Sequence, residues 1–363
     1  MFVKNVMLDN FRNIISENIE FDNKINILSG KNAQGKTNII EALWLFSACK
    51  SFRTNNDMDF INLNNEQNYC KTEINYIKDD INNNAKMLFM QAKRKKIKLN
   101  NTEVKPVEMI GNFNSVLFFP EHLNLIKGLP ENRRKFLDFA ISQVKPKYFN
   151  IINEYNKTLM QKNRALKNYE NKFLDTLDIW DAKLVKLCVY IARIRNNYIR
   201  QIEKYAQKQL LQMSGEKEIL SLKYKSMCEI NGKDTEWLEN DYLELFRQNR
   251  NQELRMMHSI SGIHRDDIEI YINNTAAKTF GSQGQQRSCV MALKLAEADI
   301  LNDAYGEYPV LLLDDVFSEL DSERKYFIID KIIEKQVIIT TCEKIEDFRH
   351  AKIFNINSGK IEE

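Results

Sequence analysis

The sequence predicts an α/β protein, a sheet-forming head interrupted by an inserted helical lobe, and three observations predict it. From Phe2 to about Pro120, short β-like runs are separated by Asn and Asp clusters that read as turns. From Asn132 to about Met213, apolar residues recur at spacings of three and four, as in Ile151, Ile152, Tyr155 and Leu159. Downstream, Val310-Leu311-Leu312-Leu313 is an uninterrupted aliphatic run bounded by helical segments, the pattern of a fully buried strand in a sheet alternating with helices.

The elements follow in order. Phe2-Val3, Lys24 to Leu28, Thr72 to Tyr76, and Met87 to Gln91 facing Lys95 to Leu99 are strands, with one helix from Thr37 to about Ala48 among them. Pro146 breaks the helical stretch. A turn-rich segment, Gly215 to Asn240, leads to strands at Asp267 to Ile272 and Val310 to Leu313, a helix at Gln285 to Leu301 and a final strand at Gln336 to Thr340. The expected organisation is residues 1–125 as the first part of the head, 126–245 as the helical lobe, and 246–363 completing the head.

A chain of 363 residues, 43% hydrophobic and 28% charged, can bury a sizeable core, which excludes disorder over most of its length. Fifty-three Lys plus Arg against 50 Asp plus Glu exclude a polycation, so any nucleic-acid surface must be a local patch. The six cysteines (Cys49, Cys70, Cys188, Cys228, Cys289, Cys342) stand singly, without C-x-x-C pairs, and read as buried thiols of a reducing cytosol. Lys4, Asp9 and Arg12 interrupt what a signal peptide would keep apolar, and Leu187 to Ala192 falls far short of the roughly 18 residues a membrane span needs. The expectation is a soluble, cytoplasmic chain with no membrane partner.

Gly30-Lys31-Asn32-Ala33-Gln34-Gly35-Lys36-Thr37 fits G-x-x-x-x-G-K-[ST] between an apolar strand and an amphipathic helix. The glycines let backbone N–H groups wrap a polyphosphate, Lys36 neutralises its β and γ groups, and the Thr37 hydroxyl ligates Mg²⁺, which makes ATP the expected cofactor. Val310 to Asp315 ends a buried strand in two carboxylates: Asp314 is the candidate Mg²⁺ ligand, and Asp315 the candidate base for an attacking water. Phe280-Gly281-Ser282-Gln283-Gly284-Gln285-Gln286-Arg287, between the two, resembles the signature of ABC-type ATPases. In that class the Ser282, Gly284 and Gln285 positions bind the γ-phosphate of a nucleotide held by a second protomer. Ser318-Glu319-Leu320-Asp321 looks like the D-loop of the class, and Thr340-Thr341 stands at the switch position where many ABC proteins carry His. Together these predict an ABC-type ATPase head, a phosphate-loop NTPase with a mixed sheet.

Nearly the whole chain resembles the RecF family of ABC-type DNA-repair ATPases, relatives of the SMC proteins. The resemblance is carried by Asn10-Phe11-Arg12-Asn13, the phosphate loop, Lys50 to Thr54, Phe118-Phe119-Pro120-Glu121, Gly128 to Asp138, Gln161 to Lys167, Trp180-Asp181, His264-Arg265-Asp266-Asp267, the signature, and Leu313 to Asp321. Ile263 and Ser288 depart from the residues usual at their positions. The resemblance implies that Arg12, Asn13 and Asn38 join the nucleotide site. It further implies an ATP-dependent homodimer with weak DNA-stimulated ATPase activity, which binds double-stranded DNA near single-strand gaps, helps RecO and RecR load the recombinase, and is released by slow hydrolysis. The helical insertion, roughly eighty residues, is the length of a compact lobe and not of a long coiled coil.

Lys93-Arg94-Lys95-Lys96-Ile97-Lys98, on an expected hairpin, is the densest basic cluster. It reads either as a sequence-independent phosphate patch or as a lysine guard on an edge strand. Arg53 is a further DNA-binding candidate, and Arg133-Arg134-Lys135 can contact phosphate or pair with Glu131 and Asp138. His264 to Asp267 reads as an ion-paired turn without chemistry of its own. Three competing functions remain: a transporter nucleotide-binding subunit, which would lack the Arg-rich insertion; a small-molecule kinase, which has no use for Ser282 to Gln285; and a scaffold that binds ATP without turnover.

Overall fold

The computed structural model describes residues 1–63, 68–167, 176–317, 321–342 and 351–362. In chain order, β1 (Phe2–Phe11), β2 (Ile14–Glu20) and β3 (Ile25–Ser29) lead into α1 (Lys36–Ala48), followed by β4 (Tyr69–Lys78), β5 (Ile81–Met90), β6 (Lys96–Leu99), β7 (Thr102–Val104), α2 (Pro106–Met109) and β8 (Ser115–Phe118). Next come α3 (Asn124–Lys127), α4 (Pro130–Val144), α5 (Pro146–Lys167), α6 (Leu177–Met213), β9 (Leu220–Lys225), α7 (Thr235–Met256), β10 (Asp267–Ile272), β11 (Thr275–Ala276) and α8 (Ala277–Phe280). Then α9 (Gln283–Tyr305), β12 (Val310–Asp314), α10 (Ser322–Ile332), β13 (Val337–Thr341), β14 (Lys352–Asn357) and β15 (Lys360–Glu362) complete the order.

Two compact units result, one of residues 1–122, 212–216 and 287–363, the other of residues 123–211 and 217–286. This division departs from the sequence boundary at 245/246. Residues 246–286 cluster with the helical unit because β9 pairs antiparallel with β10, Leu220 opposite Ile272 and Lys225 opposite Asp267. A further correction concerns the last strand: β13 is followed by β14 and β15, and β14 lies parallel to β3 with Ile353 opposite Ile27. The segment expected to be turns contains β9 and, at its end, the start of α7, which begins where Asp234 accepts the Trp237 N–H and caps the helix.

In the first unit, one sheet has the order β15-β14-β3-β13-β12-β8 and the other β2-β1-β4-β5-β6-β7. The first is parallel from β14 to β8, and its strands β12 and β13 are buried at every position, which is why they read as continuous aliphatic runs. The second is antiparallel and alternates, as in β5. α1 packs against β8, β12 and β13 and also against β1, so nearly every residue from Ile39 to Ala48 is buried.

In the second unit, α4 to α7 accompany the small sheet β11-β10-β9. Its interior holds charges as well as apolar side chains. Lys162, fully buried, lies 2.7 Å from Asp181 and 2.6 Å from Glu253, with its ammonium over the Phe246 ring. Arg195, also buried, is paired bidentately with Asp138 and donates to the Ile263 carbonyl. Buried charges persist only when paired with opposite charge in this way.

Candidate functional site

The phosphate loop runs from the end of β3 to the first residue of α1. Ala33 (φ 63°) and Gly35 (φ 111°) take left-handed conformations that turn the chain back on itself. Lys36 Nζ donates to the Gly30 and Lys31 carbonyls at 2.5 and 2.7 Å and lies 3.4 Å from Cys342 Sγ. Thr37 Oγ1 donates to Asp314 Oδ1 at 2.9 Å, so residues 277 positions apart meet across the sheet.

Asp314 ends β12, and desolvation by burial pushes its carboxyl above the usual range, opposed by the Thr340 and Thr37 hydroxyls. Among the described residues no group of three His, Cys, Asp or Glu side chains converges on one point. One buried carboxylate beside one hydroxyl is nonetheless a fitting partial shell for Mg²⁺, a hard cation that takes remaining oxygens from phosphate and water. Asp315 follows in a left-handed conformation (φ 51°), its N–H donated to Thr340 Oγ1 at 2.9 Å. Thr340 Oγ1 in turn donates to Asp314 Oδ1 at 2.7 Å. Its hydroxyl therefore fixes both acidic positions. Cys342, from the segment just past β13, is exposed, which corrects the expectation that every cysteine is buried, and it donates to Asn32 Oδ1 at 2.6 Å.

The candidates around the loop divide. Asn13 donates to the Gln34 carbonyl and accepts from Asn38, and a Cβ on Gly35 would meet its side chain at 2.8 Å. Arg12 is committed to Glu41, a fully buried carboxylate on α1, through two bonds of 2.9 and 2.8 Å, and it lies over the Phe60 ring. It thus braces the helix behind the loop. Arg53, proposed from sequence for DNA, donates to Asn38 Oδ1 at 2.7 Å and to Glu41, which puts it beside the start of α1. Sequence reasoning missed Glu41, Ser51, which also donates to Glu41, and the turn between β14 and β15, where Ser358 N donates to Gln34 Oε1 and Gly359 N to the Gln34 carbonyl. A buried glutamate one turn after the phosphate-loop threonine was the available signal.

In the second unit, Ser282 N donates to Gln285 Oε1 at 2.9 Å and Gln285 N to Ser282 Oγ at 3.2 Å, a reciprocal capping box at the start of α9. Ser282 is exposed and Gly284 half-buried beside it. Of the D-loop candidates, Ser318, Glu319 and Leu320 lie outside the described residues, while Asp321 caps α10 by accepting from Arg324 N.

On the β5–β6 hairpin, Lys95 turns inward: its ammonium bonds the Cys49 carbonyl at 2.7 Å, pairs with Asp57 and lies over Phe89. This removes Lys95 from the expected phosphate patch and leaves Lys93, Arg94, Lys96 and Lys98 exposed. Arg133 is bidentate to Asp267, Arg134 donates to the Asp266 carbonyl, and Lys135 pairs with Glu131. His264 takes hydrogen bonds to Tyr155 and the Ser259 carbonyl, and burial pulls it down to about 4. No helix among the described residues is long and apolar enough to cross a membrane.

Residues 2–356 match the family described as RecF/RecN/SMC N terminal domain. The DNA replication and repair protein RecF of Clostridium botulinum (strain Langeland) is 38% identical over 99% of both chains. That of Clostridioides difficile is 38% identical over 99% of this chain and 98% of its own. A solved structure of the recombination mediator protein RecF with ATP, in the RecFOR pathway, superposes with a TM-score of 0.93 at 32% identity, covering 99% of this chain and 97% of that one. An SMC head bound to the winged-helix domain of ScpA shares the fold, with a TM-score of 0.56 at 15% identity. With likeness of this extent in sequence and in fold, the chain belongs to the RecF family of DNA replication and repair proteins.

Proposed function

We propose that the chain is an ATP-dependent recombination mediator. It binds ATP with Mg²⁺ on the Gly30–Asn38 loop, dimerises around two nucleotides, binds duplex DNA near single-strand gaps, and works with RecO and RecR to load the recombinase. The observation that carries this reading is the 2.9 Å bond between Thr37 and Asp314, with Lys36 beside it: a phosphate-loop hydroxyl and a strand-end carboxylate sharing one point where a metal bound to polyphosphate belongs.

In this reading, the loop N–H groups and Lys36 hold the β and γ phosphates, and Thr37 and Asp314 hold the cation. The chemistry supplied by a bound Mg²⁺ is neutralisation of charge on the phosphate oxygens. Asp315 takes the proton of the attacking water, held at its post by Thr340. Arg53 and Asn38 act on the nucleotide side. Ser282, Gly284 and Gln285 cap the γ-phosphate of the other protomer's nucleotide from the start of α9. Turnover is slow and stimulated by DNA, with Lys93, Arg94 and Lys96 making sequence-blind phosphate contacts.

Mixing two inactive variants tests the shared site. Lys36→Ala loses the phosphate cradle, and Ser282→Arg blocks the cap. A mixed dimer contains one site in which both are intact, so mixing restores part of the ATPase activity. Two folded variants that regain neither hydrolysis nor ATP-dependent crosslinking on mixing would refute the shared site.

A further inference from the structure

Outside the nucleotide elements and the β5–β6 hairpin, a one-sided charge pattern lies along α6. The helix has 37 residues, and its inward face is apolar: Leu184, Cys188, Ile191, Ile199, Ile202 and Ala206 are buried. On the outward face stand Lys183, Lys186, Arg193, Arg200, Lys204 and Lys208. They recur at intervals of three, four or seven residues, so all six fall in one stripe along the helix. From the first to the last the stripe runs about 37 Å at 1.5 Å per residue.

The acid in this stretch, Glu203, is turned aside to accept the Leu222 N–H at 2.7 Å. A helix face dressed for solvation mixes its signs, as α7 does, where Glu236, Glu239 and Glu244 share the helix with Arg247 and Arg250. A single sign sustained along α6 instead creates a field that concentrates polyanions.

The two arginines have a second task. Arg193 donates to the Lys233 carbonyl at 3.0 Å and Arg200 to Asn231 Oδ1 at 2.5 Å, which ties down the loop before α7. That loop and the first turn of α7 carry Asp234 and Glu236, so this flank of the stripe is acidic and steers a polyanion to the other side. There Lys186, Lys204 and Lys208 are exposed and, among the described residues, in no ion pair, while Lys183 pairs with Glu154 at 2.7 Å.

We propose that the α6 stripe is a second, sequence-blind contact surface for the phosphate backbone of duplex DNA, separate from the β5–β6 hairpin. It rests on the DNA-binding reading above and gives it a location. Its length, about one turn of duplex at roughly 34–36 Å, lets a straight helix meet the backbones of both strands within its span. Its composition disfavours a protein partner, since Tyr190 is the stripe's aromatic residue and the face has no apolar centre of the kind stable protein interfaces bury. A membrane surface would require the apolar face of α6, which is buried inside its own unit.

The test uses the full chain carrying Lys186→Gln, Lys204→Gln and Lys208→Gln together, with Lys→Arg at the same three positions as the charge-keeping control. Anisotropy with two unrelated 30-base-pair duplexes between 50 and 200 mM salt reads the slope of log affinity against log salt. The glutamine variant is expected to have a slope shallower by about one to three, equally for both duplexes, with ATP affinity unchanged and the arginine variant like wild type. Wild-type binding with an unchanged slope in the glutamine variant overturns the stripe alone. No duplex binding by wild type at any salt overturns the DNA reading with it. Loss of poly-glutamate binding with duplex binding intact assigns the face to an acidic protein, and overturns the proposal as well.

Discussion

Replacing Thr340 by valine removes a hydroxyl at nearly constant volume, and that hydroxyl is spoken for on both sides. The residue is 2% exposed, donates to Asp314 at 2.7 Å and accepts from Asp315 N at 2.9 Å. A hydrogen bond to a charged acceptor contributes about 1.5–3 kcal/mol and a neutral one about 1, so Thr340→Val is expected to cost about 2–4 kcal/mol at neutral pH. The loss depends on pH, and its sign follows from Asp314. Burial already raises that carboxyl above 3.8, and Thr340 is the larger of the two hydroxyl influences holding it down. A carboxyl raised in the folded state adds stability that is complete below its unfolded pKa and lost as pH rises through the folded one. The valine variant raises it further and keeps that contribution to higher pH, so its deficit against wild type is widest at pH 7.5 and narrows as pH falls toward the acid range. Urea unfolding of wild type, Thr340→Val and Thr340→Ser at pH 7.5 and 5.5 measures this. Mg²⁺ titration of ATP binding should show the valine variant needing more metal at the lower pH, because protons compete for the same oxygen. Equal deficits at the two pH values, or a serine variant as weak as the valine one, would refute the reasoning.

Lys36→Ala should abolish ATP binding at millimolar nucleotide, a loss of several kcal/mol by order of magnitude, measured by calorimetry. Asp315→Asn should bind ATP and accumulate ATP-dependent dimers in size-exclusion runs while hydrolysis falls at least tenfold, since an amide cannot take the water's proton. Gly359→Ala places a Cβ 2.5 Å from the Asn13 carbonyl oxygen at φ +80°, and should weaken ATP binding with little change in the unfolding of the helical unit, as followed by Trp180 and Trp237. His264, pulled down from 6.5 to about 4 by burial, contributes stability that is full above 6.5 and lost as pH falls through about 4. That is about 3 kcal/mol at most, and acid unfolding that begins no earlier in wild type than in His264→Gln would contradict it.

The nucleotide loop was legible because its chemistry is local: two glycines, a lysine and a threonine within eight residues, between a strand and a helix. The strand ending at Asp314 was legible because burial on both faces leaves an aliphatic run. What escaped depends on distant partners. Nothing near Lys95 in sequence announces that its ammonium folds back onto the Cys49 carbonyl and Asp57, and a basic run looks the same whether its third lysine faces in or out. The bond between Arg12 and Glu41 escaped because Glu41 lies 29 residues away on a helix whose other residues are mostly apolar. α7 was hidden by its many acids and amides, which mask the short apolar stripe of Leu238, Tyr242 and Phe246. Placing residues 246–286 with the head failed because strand pairing between β9 and β10, not sequence texture, decides where they belong.

The turn at Ser358 and Gly359 holds Gln34 from a position 324 residues downstream. During synthesis, at roughly 5–20 residues per second, about 16 to 65 s separate the emergence of the loop from that of its brace. The helical unit, encoded between them, has this interval in which to fold. A ribosome-bound chain therefore carries the complete phosphate-loop sequence well before it carries a settled phosphate loop, because the turn that holds Gln34 is made 324 residues later. Frameshifted or stalled products would then compete poorly with the finished protein for ATP, although they contain every residue of the motif.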